Sequence, residues 1–506
     1  MKEYLLGLDC GSTTIKAVLF DTEGNEIASY GRPYSMTYPK DNWIDVDVDT
    51  IWFGAVESIQ ELLRKSEVAP EDIKGVGACA WGCGAVFLDK DGKQVRPAFS
   101  SGDSRTIALV DKIEKSDIID RIVEVNKVGV LSCHPAVIAL WLKQNEPENY
   151  EKMDWICAVK DYLNFKLTGK RFHEPVDAAG GGFYDWEKKD YTYELFDLMG
   201  IPEFGDKLAP LAEKSIQIIG GVSEEGAAAT GLAAGTPVIA GMMDICACAV
   251  GTGLSDEGQA CSVVGTWSIN EVVSPDRMFK DTVATLVYPF DNKIMSMAGG
   301  CTSATNTEWF LRCFGDDLKA KAKEKGVSVY EVMTSLAAEI DPEESKVMYL
   351  PFISNPRIRL NASAGFHNIE AGVNVAELLH ALYEGITFDH KRYLDTFVSQ
   401  GYPLKVYRLA GGGAKSAYWA QMFADVLGGP VETISQGELG ALGNCISAGV
   451  ATGIFSDFAD ACDKMLGERK VYYPDPEAQQ KYQIKYEQWL GLVDHMCKYW
   501  DSQTIE

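Results

Sequence analysis

The feature that most constrains this chain is a unit met twice, about half a chain apart: a short apolar strand, a loop of small polar residues and a returning strand. Residues 4–8 form an apolar run fit for a buried strand, Cys10-Gly11-Ser12-Thr13 form the loop, and residues 14–20 resume a strand pattern. The turn-forming stretch DTEGN at residues 21–25 precedes a third strand at 26–30, so the start of the chain reads as a meander. Past the midpoint, residues 260–264 lead into Gly265-Thr266-Trp267-Ser268 and residues 269–273 return. A recurring hairpin of this kind points to two domains with related cores.

The rest of the pattern agrees. Strand-like runs at 75–80, 237–241 and 405–409 alternate with helical periodicity. After Gly411-Gly412-Gly413, Ser416 is placed to cap a helix whose apolar face is Trp419, Met422, Phe423, Val426 and Leu427, and Gly428-Gly429-Pro430 stop it before a strand at 431–434. Alternation of strands and helices implies α/β domains with largely parallel sheets. At 506 residues the chain exceeds what one core usually organises. The TGLSDEG segment at 252–258 breaks the pattern, so domains are expected at 1–251 and 252–506.

Charge and composition exclude several functions. A net charge of −26 disfavours a nucleic-acid surface, which needs clustered cations. Any phosphate must then be held locally, by backbone amides, a metal ion or a few chosen cations. Six histidines without ligand spacing and thirteen scattered cysteines disfavour a zinc site. The start MKEYLLGLDCG carries charges and no apolar run before a cleavage site, so it is not expected to be a secretory leader. The apolar stretch 232–254 is interrupted by Pro237 and Asp244 and reads as a buried strand-to-helix passage, not a membrane span. The expectation is a reduced, cytoplasmic protein without membrane association.

Phosphoryl transfer needs donors around the phosphates, an acid that holds the metal and a group that orients the attacking hydroxyl. Asp9 sits at a strand end before Gly11, Ser12 and Thr13, whose backbone N–H and hydroxyl groups can wrap phosphate oxygens while Asp9 holds magnesium through water. A plain turn explains the loop equally, and Lys16 either adds a charge or lies on the solvent face. Gly265 and Thr266 repeat the arrangement. Gly411, Gly412 and Gly413 let backbone approach a nucleotide, or simply permit close packing; no Walker loop occurs. Asp244, set among apolar residues, is either a helix N-cap or a costly carboxylate kept for function. Asp103 and Arg105 can bond sugar hydroxyls and Trp81 can stack on a sugar face; unaided, a loop ion pair and a core aromatic are the simpler readings.

Together these residues resemble the FGGY carbohydrate kinases, from GLDCGSTTIKAVLFD to SAGVATG, in the order DxGST hairpin, GMMDICACAVG, GTWS, AELLHALYEGI, LAGGGAKSAYWAQMFADVLG and QGELGALG. The resemblance implies an α/β fold of two ribonuclease H-like domains, the type of actin, hexokinase and Hsp70 ATPases, with a deep interdomain cleft. It implies that Asp244 is the catalytic base and a second acid facing the metal, Asp9 the acid near magnesium–phosphate, Thr266 a phosphate contact, and Gly411 and Gly412 part of the adenosine loop. The N-terminal domain would hold the sugar and the C-terminal domain ATP. Trp81, Gly82 and Cys83 stand where xylulose kinases show Gln-Met-His, Ser101 replaces the tryptophan of a W-x-D-x-R segment that Asp103 and Arg105 otherwise match, and Asn368 replaces a signature glycine. The WGCG segment, the loop in LPFISNPRIRLNASAGF that lacks the usual GER, and its SAGF ending look more like L-xylulose/3-keto-L-gulonate kinases than D-xylulose or glycerol kinases. The expected activity is ATP-dependent phosphorylation of a small sugar, L-xylulose first, with D-xylulose, erythritol or 3-keto-L-gulonate as alternatives and a non-catalytic sugar sensor as the rival. Expected partners are the sugar and ATP, with a homodimer as an allowed assembly.

Overall fold

The computed structural model of the chain describes residues 2–41, 43–265, 267–291, 293–353, 357–359, 361–434 and 437–503. In the first half, β1 (Tyr4–Cys10), β2 (Thr14–Asp21) and β3 (Glu26–Pro33) form the expected meander, and β4 (Ile73–Ala80) pairs parallel to β1. Beyond β4 lie β6 (Pro237–Ile239), parallel to it, and the antiparallel edge strand β5 (Ile218–Gly221); the short β7 (Met242–Met243) also pairs with β4. Helix α1 (Asp244–Gly251) follows directly.

The second half repeats this plan. Strands β8 (Gln259–Val264), β9 (Ser268–Ser274) and β11 (Ile294–Gly300) are antiparallel neighbours, with β10 (Ala284–Val287) on the outer edge of β11. On the other side of β8 come β12 (Val406–Ala410) and β13 (Val431–Ile434), both parallel, and the antiparallel edge β14 (Arg469–Tyr472). Three antiparallel strands, two parallel ones and an antiparallel edge thus recur in the same spatial order. The hairpin connections that follow β1 and β8 occupy equivalent places, at the ends of those strands. Helix α2 (Ala417–Leu427) carries the expected apolar face, with the Ser416 hydroxyl accepting from the Trp419 N–H at 3.2 Å and Gly428 closing it in the left-handed region. The stretch 232–254 passes through β6, β7 and α1 as a strand-to-helix passage, and no helix among the described residues is long and apolar enough to cross a membrane.

The two halves meet where α1 crosses α3 (Leu439–Ala451). One apolar cluster runs across this junction, from Leu5, Phe20 and Cys79 through Cys246, Ala247 and Val250 to Ala441, Leu442 and Cys445. Helix α3 lies on the N-terminal sheet although its sequence follows the C-terminal strands. The Asn444 amide donates to the Leu8 carbonyl at 3.2 Å, and a Cβ placed on Gly7 would lie 2.4 Å from the Ala441 carbonyl oxygen. At the helix crossing, a Cβ on Gly443 would lie 1.9 Å from the Ala247 oxygen and one on Gly251 2.1 Å from that of Leu439. Backbone therefore touches backbone, an approach only glycine permits.

Gly443→Ala is expected to lower the Tm by several degrees, since overpacking a crossing that cannot yield costs about 1–3 kcal/mol or more. Gly491, inside the C-terminal helix Pro476–Asp501, has nothing within 4 Å of its would-be Cβ. Gly491→Ala should hold or raise the Tm, because alanine is favoured by roughly 0.5–1 kcal/mol in a helix. Thermal melts of the two variants side by side check the opposite signs.

Candidate active site

Three chain segments converge at the helix crossing. Asp9 stands near the C-terminal end of β1, Asp244 is the first residue of α1, and Glu438 directly precedes α3. The Asp9 carboxylate accepts from the Cys79 thiol at 3.5 Å and abuts Gly440, where a Cβ would lie 2.7 Å from Oδ2. Burial raises its pKa, with Glu438 adding to the rise and the Cys79 hydrogen bond and Lys16 opposing it. Asp244 Oδ1 accepts the N–H of Ile245 at 2.8 Å. Burial, and then the charge of Asp9, push its pKa up to about 7. Met243 occupies the N-cap position of α1 and Asp244 the first helical one, so capping does not explain why a carboxylate stands there.

The β1–β2 loop is held from beneath. The Tyr34 hydroxyl donates to the Gly11 carbonyl at 2.6 Å, the Tyr34 N–H donates to the Thr13 carbonyl at 3.0 Å, and the Trp81 N–H donates to the Cys10 carbonyl at 3.1 Å. Ser12 and Thr13 are exposed on this supported loop. In the equivalent β8–β9 loop, the Gly265 carbonyl accepts from the Ala304 N–H at 2.7 Å; Thr266 lies outside the described residues. Gly411 has φ +82°, and its would-be Cβ meets the Val264 carbonyl oxygen at 2.8 Å, while Gly413 packs on the Val264 side chain. Gly412 alone faces open space. The triplet thus serves both packing and access, and a short 3₁₀ turn, Gly412–Lys415, separates it from α2. A groove of about 760 Å³ runs from Gly411 and Lys415 past Thr433 to Gly437 and Leu439. It links the glycine loop to the start of α3, and through Glu438 and Gly440 to Asp9.

Several expected contacts are corrected by the geometry. Lys16 stays partly solvent-exposed, and its ammonium lies 2.8 Å from Glu438, an ion pair between the two halves that the sequence pattern did not disclose. Trp81 is 5% exposed and its indole N–H donates to the Tyr34 hydroxyl at 3.0 Å, so its edge supports the loop. Asp103 and Arg105 are buried against one another, with Nε to Oδ2 at 2.9 Å, and the guanidinium also pairs with Asp45 and stacks on Phe99. Asp103 further accepts from the Ile44 N–H at 2.6 Å. For these three residues the simpler sequence readings describe the structure. Gly82 leaves room for the Met243 side chain, whose sulfur would lie 2.4 Å from an added Cβ. Cys83 borders the same region with φ +61° and donates to the Gly180 carbonyl at 3.4 Å.

Among the described residues, no group of three or more His, Cys, Asp or Glu side chains could hold a metal alone. Magnesium asks for less: one or two carboxylates together with substrate phosphates. Asp9 and Asp244, desolvated and each raised by acidic neighbours, fit such an ion, which would relieve their repulsion.

Because a buried carboxylate with raised pKa keeps its proton in the folded state, folding stability declines as pH rises from the unfolded value near 4 through about 7. Asp244→Asn should therefore raise the Tm at pH 8 and raise it clearly less at pH 5, where the folded carboxyl keeps its proton and only the unfolded chain's is ionised. Melting curves at the two pH values check the sign.

Comparison with known proteins fits this geometry. The model of the N-terminal domain of the FGGY family of carbohydrate kinases matches residues 4–251, and that of its C-terminal domain residues 260–452. A probable L-xylulose kinase of Haemophilus influenzae is 32% identical, over 97% of this chain and 98% of that protein. An L-xylulose/3-keto-L-gulonate kinase of Escherichia coli is 31% identical over 97% of each. The crystal structure of a gluconate kinase from Lactobacillus acidophilus superposes with a TM-score of 0.88 at 20% identity, covering 98% of this chain and 99% of that one. With its duplicated sheets, its glycine loop and both family models matched in order, this chain belongs to the FGGY family of carbohydrate kinases.

Proposed function

We propose that the chain phosphorylates a hydroxyl of a small sugar, with L-xylulose as first substrate and ATP as donor. The observation that carries the reading is Asp244: a carboxylate at the first position of α1, beside Asp9, whose pKa is pushed to about 7. A general base works best when its pKa lies near the operating pH. The similarity to proteins named as a probable L-xylulose kinase and an L-xylulose/3-keto-L-gulonate kinase supports that sugar ahead of D-xylulose and erythritol, with 3-keto-L-gulonate next.

In this mechanism Asp244 accepts the proton of the sugar hydroxyl as its oxygen attacks the γ-phosphorus. The new O–P bond forms as the bridging bond to the β-phosphate breaks, ADP leaves, and Asp244 returns the proton to solvent. The backbone N–H groups of Gly11, Ser12 and Thr13, with Gly265 of the equivalent loop, are assigned to the charge on the moving phosphoryl group, and the family resemblance assigns Thr266 to it as well. Magnesium, when bound beside Asp9 and Asp244, supplies neutralisation of the phosphate charge. Gly411, Gly412 and Gly413 leave space for the nucleoside along the groove that ends at Leu439. Lys16 is assigned to holding Glu438, and through it the start of α3, and not to the phosphates. The half 1–251 supplies the sugar pocket and the base, the half 252–506 most of the nucleotide site. Closure of the halves about the α1–α3 crossing would exclude water from the reacting groups.

The test is ADP release with Mg-ATP across ketopentoses, tetritols, glycerol and 3-keto sugar acids, with Asp244→Ala alongside. The expected result is a sugar-dependent rate, best with L-xylulose, that the variant lowers by at least ~10²-fold. A rate no sugar raises above that of ATP alone overturns the kinase reading, and a variant within a few-fold of the parent overturns the role of Asp244.

A further inference from the structure

Near Asp244 stand two thiols that the proposed chemistry does not use. Cys83 lies in the turn after β4, and Cys133 in the LSCHP segment that leads into the helix Pro135–Asn145. Backbone ties the two segments together: the Gly84 N–H donates to the Cys133 carbonyl at 2.8 Å. Standard peptide geometry across that bond leaves the two Cα atoms about 6 Å apart or less, inside the range of roughly 4.4–6.8 Å that disulfides span. The side chains complete the approach. The Cys83 thiol has two acceptors, the Gly180 carbonyl at 3.4 Å and the Cys133 sulfur. Both cysteines are partly exposed.

The pair lies between the carboxylate at the start of α1 and the facing half of the chain. Gly82 packs on the Met243 side chain, whose sulfur would lie 2.4 Å from an added Cβ, and Met243 directly precedes Asp244. The charge of Asp244 reaches Cys83, and that of Arg357, from the C-terminal half, reaches Cys133. Their acidities differ. The hydrogen bond with Cys83 holds the Cys133 thiol below its ordinary range against the effect of burial, helped by its backbone N–H and by Arg357. That same hydrogen bond, and then burial, hold Cys83 well above the range. Cys133 is therefore suited to attack and Cys83 to resolve.

The two segments also differ in what holds them. The Cys133 segment is pinned by the Thr106 hydroxyl, which donates to the Ser132 carbonyl at 2.7 Å, and by His134 Nδ1, which accepts the Leu131 N–H at 3.3 Å. Cys83 stands at φ +61°, in the left-handed region that favours glycine, with its thiol on Gly180. A bond between the sulfurs would take that thiol off Gly180 and draw the 82–83 turn away from Met243.

We propose that Cys83 and Cys133 form a reversible modification site, closed to a disulfide by exchange with a small disulfide and reopened by a thiol, and that closure disables the sugar side of the active site. The Cys133 thiolate attacks one sulfur of the small disulfide and expels its other half as a thiolate. The Cys83 thiol gives its proton to solvent, its sulfur attacks that of Cys133, and the second half leaves. The two cysteines lose two electrons and two protons, and the small disulfide becomes two thiols. The effect on activity rests on the kinase reading; formation of the bond does not.

The test incubates the full chain with glutathione disulfide and maps its cysteines by peptide mass spectrometry. In parallel, kcat/KM for the best sugar and the KM for ATP are measured before and after dithiothreitol, for the parent and for Cys133→Ser. The expected map joins the Cys83 and Cys133 peptides with the loss of two hydrogens. The sugar kcat/KM should fall at least ~10-fold, since a misplacement of about 1 Å near reacting groups costs up to ~10²-fold, while the KM for ATP stays within about twofold. Dithiothreitol should restore the rate, and Cys133→Ser should keep the rate of its own reduced form. Recovery of both cysteines as free thiols, or as separate glutathione adducts, overturns the site. A cross-link that leaves kcat/KM unchanged overturns its effect on the active site, as does a Cys133→Ser enzyme inactivated as strongly as the parent. A reduced parent that turns over no sugar overturns the kinase reading, and the map then decides the thiol pair alone. The map also decides should Cys133→Ser not fold, since it needs no variant.

Discussion

Everything at this site depends on the crossing of α1 and α3. Gly443 and Gly251 let the two helices touch backbone to backbone, and Gly7 lets α3 lie on β1 at similarly short range. That closeness delivers the first residue of α1 and the residue before α3 to the end of β1. Asp244, Glu438 and Asp9 come from positions hundreds of residues apart in sequence, and a crossing one side chain wider would separate them. The same contact joins the halves backbone to backbone, with larger apolar side chains such as Val250 and Leu442 packed around it.

The electrostatics follow from that convergence. Bringing three acids together in partly desolvated surroundings is unfavourable, and each is managed differently. Glu438 is neutralised by Lys16 across the two halves. Asp9 is left with a thiol hydrogen bond, and Asp244 with one backbone N–H. A fourth acid, Glu271 on β9, is wholly buried beside Cys261, and burial and then Asp244 hold its pKa well up. The molecule thus stores unmet negative potential where a phosphate-bound cation and a hydroxyl proton would be received, a pattern that favours function over stability.

Much of this was legible in the sequence because it rests on local rules. The hairpins around DCGST and GTWS, the capped helix after the glycine triplet and the strand-to-helix passage ending in Asp244 are written in period-2 and period-3.6 patterns and in turn residues. What sequence did not disclose is tertiary. That α3 would lie on the other half's sheet, that Lys16 would find Glu438, and that Trp81, Asp103 and Arg105 would be consumed by Tyr34, Asp45 and each other are matters of which partner arrives first. No local pattern encodes them. The boundary between the matched family segments falls in the TGLSDEG stretch, where charge and glycine interrupt both periodicities.

The most direct measurement is the pH dependence of kcat/KM for the best sugar at fixed Mg-ATP, which reports ionisations of the free enzyme and free substrates. The account predicts a rate that falls as pH drops through about 7, as Asp244 takes up the proton that burial and Asp9 favour. A profile that stays flat down to pH 5 would contradict it, since the group receiving the hydroxyl proton would then not be the buried carboxylate at the start of α1.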